Sequence, residues 1–176
     1  QETLLQLLQK GLLRWVRDSR LRGEREYRFA YPPWREIVYQ ALPTKKRRRG
    51  HRLLAHWLLL HRERDQEELL EAVARHMERA GRGAAAAMFY HQVAELAAKR
   101  GVFSKPPRLL LRALSCLGSA DVAMRVGLWA DLGAALVQKG DFEAAFGAYE
   151  KLLRLAHALS VRHYLAQAHY ALGQLT

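Results

Sequence analysis

The most constraining feature of this chain is a pattern that predicts two helices joined by a tight turn, with small residues where the helices approach each other. Its positions are Trp129, Leu132, Gly133, Leu136, Gly140, Phe142, Ala145 and Tyr149. Gly133 and Ala145 lack bulk, whereas the three aromatic side chains of the pattern are large enough to fill the space around them. This alternation of large and small residues predicts two closely interlocked helices.

The spacing resembles that of the tetratricopeptide repeat, in which W-x2-L-G-x2-Y is followed by A-x3-F. Two positions depart from that pattern, because Leu136 stands where Tyr is usual and no Pro closes the unit. The resemblance implies stacked helical pairs that form a superhelix, and such repeats offer surfaces to partners and rarely carry out chemistry. It therefore predicts a binding protein and not an enzyme.

The pattern recurs on both sides of this pair. Leu172-Gly173 follows 40 residues later on another apolar helix, and Val93-Ala94 occupies the place of Leu132-Gly133 at 39 residues earlier. The helix after that earlier copy contains Pro106-Pro107, and we expect it to start there because proline is tolerated in the first turn of a helix. The interval exceeds the roughly 34 residues of the usual repeat, which we interpret as lengthened helices. An ordinary antiparallel helical bundle with coincidental glycine placement is the alternative.

Composition adds limits on location. The chain has 176 residues, half of them apolar, which is enough for a sizeable core. It shows neither a secretory leader nor a run of the roughly 18 apolar residues that cross a bilayer, so we expect a cytoplasmic protein. The single cysteine, Cys116, lies in a Leu-rich segment and is expected to be a small buried apolar residue. Because the chain starts within a helical pattern and stops after half a repeat, we expect it to be a piece of a longer protein.

Positive charge is concentrated in the first third of the chain. Residues 1–64 hold 16 Lys/Arg against 6 Asp/Glu, whereas residues 121–176 hold 5 against 5. This asymmetry predicts two functional zones, a basic one and a nearly neutral repeat region.

The basic third has its own order of elements. An apolar helix over the first ten residues ends at Gly11, which is a natural C-terminal cap. Alternating residues around Trp15 and Tyr27 then predict a β-hairpin, as at the end of a winged helix. Pro32-Pro33 opens a helix with apolar residues at helical spacing, and a second long helix, capped by Thr44, runs to about residue 61.

Four segments in this order resemble a module of STAND-class signalling ATPases of bacteria, in which a nucleotide-binding domain is followed by a winged helix and tetratricopeptide-like repeats. The segments are Gly11–Leu13, Tyr27–Phe29, Arg35–Pro43, and Arg47–Arg49 with His51 and Ala55. The resemblance implies a winged-helix domain over 1–43, a helical linker over 44–80 and about two and a half repeats over 81–176. It further implies a mainly α fold and a sensor or scaffold role in signal transduction.

One departure from this family bears on nucleotide sensing. Members usually carry a histidine shortly after the Phe of the second strand, where Tyr31 stands here. A phenol donates one hydrogen bond but is not cationic near neutral pH, which puts phosphate sensing by this module in doubt. The chain also contains no phosphate-binding loop of the G-x4-G-K-[ST] type, so we predict no cofactor and no ATP hydrolysis by this segment alone.

Two candidate partner surfaces follow. The predicted basic docking face consists of Arg17, Arg20, Arg22, Arg25, Arg28, Lys45, Lys46, Arg47, Arg48 and Arg49. We expect it to dock on an acidic face of an upstream ATPase domain; the alternative is a nucleic-acid-binding regulator that uses the wing and Lys45–Arg49. The predicted groove of the repeats, lined by the first helix of each unit, consists of Met88, His91, Glu95, Ala130, Ala134, Gln138, Tyr170 and Gln174. Its small, mildly polar lining would suit a helix or an extended apolar segment.

Other kinds of site receive little support. His51, His56 and His61 recur every five residues and therefore diverge around a helix, so we predict no metal site. His51 is expected to pack or hydrogen-bond at the start of the linker. No catalytic arrangement of Ser, His and Asp stands out, and we predict no membrane partner. Self-association through the open final repeat is a further alternative.

Overall fold

The computed structural model describes residues 2–17, 19, 23–61 and 67–175, and the chain divides into two compact units. Unit 1 is Gln1–Gly50 and unit 2 is His51–Thr176. The division falls within the sequence of one helix, α3, which is Thr44–Leu60.

Unit 1 contains a short helix, a hairpin and a second helix before α3. These elements are α1 (Glu2–Gln9), β1 (Leu13–Val16), β2 (Glu26–Phe29) and α2 (Pro32–Ala41). The strands are antiparallel, with Leu13 opposite Phe29. Gly11 ends α1 with a φ of 66°, a left-handed conformation that glycine adopts at little cost.

Unit 2 continues from the second part of α3 with a succession of helices. They are α4 (Glu67–Arg79), α5 (Gly83–Lys99), α6 (Pro106–Cys116), α7 (Val122–Lys139), α8 (Phe142–Ala158) and α9 (Arg162–Leu175). From α4 onward each helix packs on the next, and α7 also contacts α9. The start of α5 lies against the end of α6, since a Cβ at Gly83 would meet the carbonyl oxygen of Cys116 at 2.1 Å.

Local sequence explains where these helices begin and end. Pro106 and Pro107 occupy the first turn of α6, where their missing amide hydrogens cost nothing. Gly140 ends α7 with a φ of 83°, and the Asp141 carboxylate then accepts a hydrogen bond from the amide of Ala144 at the start of α8. The predicted turn between these two helices is therefore present.

The close approach predicted between α7 and α8 is also present. A Cβ at Gly133 would lie 2.6 Å from the ring of Tyr149, a distance that real Cβ atoms essentially never show, and Ala145 is fully buried. Buried residues of α7, α8 and α9 form one hydrophobic cluster, which consists of Val126, Ala130, Tyr149, Leu152 and Ala168. The small residues of the sequence pattern thus allow the helices to close over this core.

The described residues are mainly helical, with one two-stranded sheet, as the sequence predicts. The winged helix, the superhelix and the three domain boundaries stay predictions. Within the described part of the chain, no helix combines the length and apolarity that a membrane crossing requires.

Candidate interaction surfaces

Helices α5 and α7 are joined at the surface of unit 2 by a charged hydrogen bond. The imidazole Nε2 of His91 lies 2.8 Å from a carboxylate oxygen of Asp131 and 4.0 Å from one of Glu95. The hydrogen bond to Asp131 raises the pKa of His91 above its ordinary value, against the opposing effect of partial burial. The two residues are 40 positions apart, so the bond links α5 and α7, the first helices of two successive predicted units, at this point.

We call the exposed surface around this bond the α5–α7 face. It consists of Met88, His91, Glu95, Asp131, Ala134 and Gln138, which recur at three- and four-residue spacing on their helices. Met88 is 51% exposed, and Ala134 and Gln138 are exposed. On α9, Tyr170 is 73% exposed, and Gln174 is exposed as well.

One predicted groove residue is not at the surface. Ala130 is only 3% exposed and belongs to the core cluster with Val126 and Leu152, so it is removed from the predicted groove. The next residue along α7, Asp131, takes that place at the surface. Its position three residues before Ala134 and seven before Gln138 is the sequence signal that identifies it.

Helices α4 and α6 are linked by ion pairs. Lys105 contacts the carboxylates of both Glu67 and Glu71, the latter at 3.0 Å, and Arg112 contacts Glu78. The buried hydroxyl of Tyr90 on α5 donates to Glu78 at 2.9 Å. Burial, followed by this bond to a carboxylate, raises the pKa of Tyr90 to about 12. This network connects α4, α5 and α6, and it gives the buried hydroxyl of Tyr90 a hydrogen-bond acceptor, the Glu78 carboxylate.

Two other predicted side chains are placed within unit 2. His51 of α3 is buried, and its Nδ1 lies 2.8 Å from Nδ1 of His76 on α4, with the rings stacked. This confirms that His51 packs and hydrogen-bonds at the start of the helical region. Cys116 is half-buried, and burial is the main cause that raises the pKa of its thiol above the ordinary value.

The basic cluster at the start of α3, Lys45–Arg49, is exposed except for Arg47, which is half-buried. The Arg47 guanidinium lies 5.4 Å from the centre of the Tyr39 ring and donates to the hydroxyl of Thr44. The first turn of this helix contains no acidic residue. Cations at a helix N-terminus are disfavoured by the helix dipole, so this arrangement is favourable mainly when anions lie nearby.

The remaining predicted basic residues lie in or near the hairpin of unit 1. Arg17 and Arg25 are exposed, and Arg28 is exposed but paired with Glu26 at 2.9 Å. Arg20 and Arg22 lie outside the described residues.

Unit 1 has an exposed apolar surface that the sequence does not predict. It lies on α2 and consists of Trp34, Ile37, Val38, Ala41 and Leu42, all of which are exposed. We call this set the α2 stripe. The signal was the helical spacing of its apolar residues, but that spacing alone does not distinguish a covered face from an uncovered one.

In the part of the chain that the structure describes, no group of three or more His, Cys, Asp or Glu side chains is arranged to hold a metal ion. The two histidines of α3 and His61, which follows it, lie in different environments, since His51 is buried, His56 is exposed and His61 bonds the carbonyl oxygen of Trp57.

No protein-family model matches the sequence, and no curated protein matches it. The contacts and exposed surfaces described above are therefore the basis for proposing a function.

Proposed function

We propose that this chain is the non-catalytic protein-interaction and regulatory region of a cytoplasmic signal-transduction ATPase of the STAND class, or of a related transcriptional regulator. In this proposal residues 81–176 form a tetratricopeptide-like superhelix that serves as a sensor or scaffold. Residues 1–43 form a winged-helix module that docks on an upstream nucleotide-binding domain, and residues 44–80 are a helical linker.

The contact between His91 and Asp131 carries the proposal. It joins residues 40 apart in the sequence and lies at the surface between α5 and α7. In a repeat array the first helices of successive units lie next to each other and share one exposed face. The His91–Asp131 bond between α5 and α7 supports such an arrangement, and the tight packing of Gly133 on Tyr149 supports the pairing of α7 with α8 as one unit.

The lining of this face favours a protein partner. Met88 and Ala134 offer apolar contact, and Glu95 and Gln138 offer hydrogen bonds at the edges. A helix or an extended apolar segment bound there would contact two helices at once. Binding would then bias how the basic docking face associates with the upstream domain, which is how the proposed sensor would transmit its state.

The test requires the nucleotide-binding domain that the proposal places in the same polypeptide. This domain, made as a separate protein, is titrated with the 176-residue chain at low salt and at about 1 M salt, where the screening length falls to about 3 Å. We expect Kd to weaken at least about tenfold at high salt. Replacing Lys45, Lys46 and Arg48 by Gln should remove most of that salt dependence, because these cations are exposed.

Two results would refute the proposal. The first is the absence of a nucleotide-binding domain from the full polypeptide. The second is an association that is equally tight at both salt concentrations, which would exclude electrostatic docking through the basic face.

A second function is favoured by the basic cluster alone. Five cations in succession at the start of α3, with no acid in its first turn, also suit the phosphates of a nucleic acid. In that case a gel-shift titration would detect submicromolar, sequence-selective DNA binding at physiological salt. Weak binding that occurs only at low salt would leave the docking proposal as the better one.

A further inference from the structure

The α2 stripe is an amphipathic face of unit 1 whose residues are all exposed. Its residues follow the helical spacing i, i+3, i+4, i+7 and i+8 from Trp34 to Leu42. Ile37 is 64% exposed and Val38 is 49% exposed. A surface helix normally turns such a face toward a core, so an exposed one marks an interaction site.

The rest of unit 1 does not form a core of its own. None of the described residues from 2 to 50 is buried, and α2 itself contains no buried residue. Trp15 on β1 is also 61% exposed. The exposed apolar side chains of the α2 stripe are therefore available to a partner.

Charge defines the chemistry of that partner. Residues 1–50 hold 13 Lys/Arg against 5 Asp/Glu, and the exposed basic cluster begins three residues after the stripe ends at Leu42. A second copy of the chain would bring the same excess of positive charge and would be repelled. An acidic partner would be attracted, and it would also favour the cations at the start of α3.

A lipid surface fits less well than a protein. Amphipathic helices that lie on anionic membranes carry Lys and Arg along their polar face. The polar face of α2 instead contains Arg35 and Glu36 together with Gln40, which bonds Glu36 at 2.8 Å, so it brings no net charge.

We propose that the α2 stripe is a docking site for an amphipathic helix of a partner segment whose apolar face is bordered by Asp and Glu. The apolar faces would pack together, and the acidic border would meet the basic cluster Lys45–Arg49. The inference rests on the proposed role of the chain as an interaction region and adds the chemistry of one partner.

The dimensions of α2 set the size of that helix. Ten residues at 1.5 Å rise per residue give a face roughly 15 Å long. A partner helix of about three turns, with apolar residues at i, i+3, i+4 and i+7, would cover it. A partner segment in a β-strand would present every second residue on one side, and that spacing does not match the helical spacing of the stripe.

The experiment selects binders to the complete 176-residue chain from a displayed library of helical peptides about three turns long, randomised at their surface positions. We expect the enriched peptides to combine a helical apolar stripe with Asp or Glu beside it. The affinity of the best peptide is then measured by fluorescence anisotropy. Ile37→Glu should weaken it at least about tenfold, because the substitution places a carboxylate in the apolar contact.

Gln40→Glu is the matched control, since it adds the same charge to α2 outside the stripe. It should change the affinity by less than about twofold. Because both positions are exposed, both variants should stay folded. Gln40→Glu also exchanges the hydrogen bond to Glu36 for a weak like-charge repulsion, so it should unfold at a slightly lower temperature than the unaltered chain. The double variant Lys45→Gln/Arg48→Gln should lower the affinity for the peptide and reduce the dependence of that affinity on salt concentration.

Three outcomes of the peptide experiment would overturn the inference. They are the enrichment of no helical peptide, the enrichment of peptides without acidic residues, and equal binding to the Ile37→Glu variant. Co-sedimentation with phosphatidylserine vesicles that depends on Ile37 would assign the stripe to a lipid surface and would also overturn it. Peptide binding as expected, together with no association with a nucleotide-binding domain, would refute the proposed function and leave this inference standing.

Discussion

The two units use their apolar residues in opposite ways. In unit 2, small residues allow helices to approach, and side chains such as Leu132 and Leu152 are removed from water almost completely. In unit 1, large side chains of α2 remain exposed, and none of the described residues reaches the burial of a core position. The charge differs as well, because the excess of cations lies in the first third of the chain. Unit 2 is therefore stabilised by its buried core, whereas unit 1 exposes large apolar side chains at its surface.

Truncating one apolar side chain in each unit is the strongest test of this contrast. Leu152→Ala should lower the free energy of unfolding by about 2–5 kcal/mol, because Leu152 is fully buried and the cavity would not close. Ile37→Ala should change it by no more than about 0.5 kcal/mol, because Ile37 is 64% exposed. Urea denaturation monitored by circular dichroism measures both. A comparable loss in the two variants would show that α2 is covered in solution and would break the comparison.

The close contact between α7 and α8 gives the second largest effect. Gly133→Ala would place a methyl group 2.6 Å from the Tyr149 ring, and we expect a loss of about 1–3 kcal/mol despite the higher helix propensity of alanine. Gly147→Ala is the matched control in α8, where a Cβ meets nothing within 4 Å, and it should stabilise the protein by up to about 1 kcal/mol.

A double variant sharpens this second prediction. If the loss comes from the ring, Gly133→Ala combined with Tyr149→Leu should cost less than the two single changes added together. Additive losses would mean that Gly133 acts through something other than its contact with Tyr149.

The sequence predicted the local structure of unit 2 better than its surfaces. Proline at 106, glycine at 140 and the small residue at 133 act through backbone geometry or through contact within one helical pair, so their effects follow from spacing alone. Of the three predicted groove residues on α7, Ala134 and Gln138 are exposed and Ala130 is buried. Ala130 is covered because it packs against residues of α8 and α9, and the spacing along α7 does not specify those contacts. For the same reason, the periodicity of α2 could not show that its apolar face is uncovered.

The third prediction concerns the buried phenol of Tyr90. Its pKa is raised from 10.0 to about 12 by burial and by the Glu78 carboxylate. Because the pKa of Tyr90 is higher in the folded state than in the unfolded state, this group stabilises the protein fully at pH values below 10.0. That contribution is lost as the pH rises from 10.0 toward about 12. The free energy of unfolding should therefore fall more steeply over this range in the unaltered chain than in Tyr90→Phe. The control Tyr170→Phe, at a position 73% exposed, should keep the steep fall. Identical slopes in Tyr90→Phe and the unaltered chain would contradict the assignment.

The smallest expected effect concerns the bond that joins α5 to α7. Asp131→Asn should lower the pKa of His91, because the hydrogen bond to the carboxylate is the main cause that raises it. The raised pKa contributes stability below 6.5 that is lost as the pH rises through the folded-state value, so the variant should be slightly less stable at acidic pH and unchanged at alkaline pH.

Both side chains of this pair are partly exposed, so its contribution to stability is small, and titration of the imidazole by NMR is the sensitive measurement. Glu95→Gln should produce a smaller shift, because its carboxylate lies 4.0 Å from Nε2 and not 2.8 Å. If Asp131→Asn leaves the pKa of His91 where it was, the two first helices are not in contact at this point. The α5–α7 face would then not be one continuous surface. The core of unit 2 would be unaffected, but the contact between α5 and α7 on which the proposed repeat array depends would be absent.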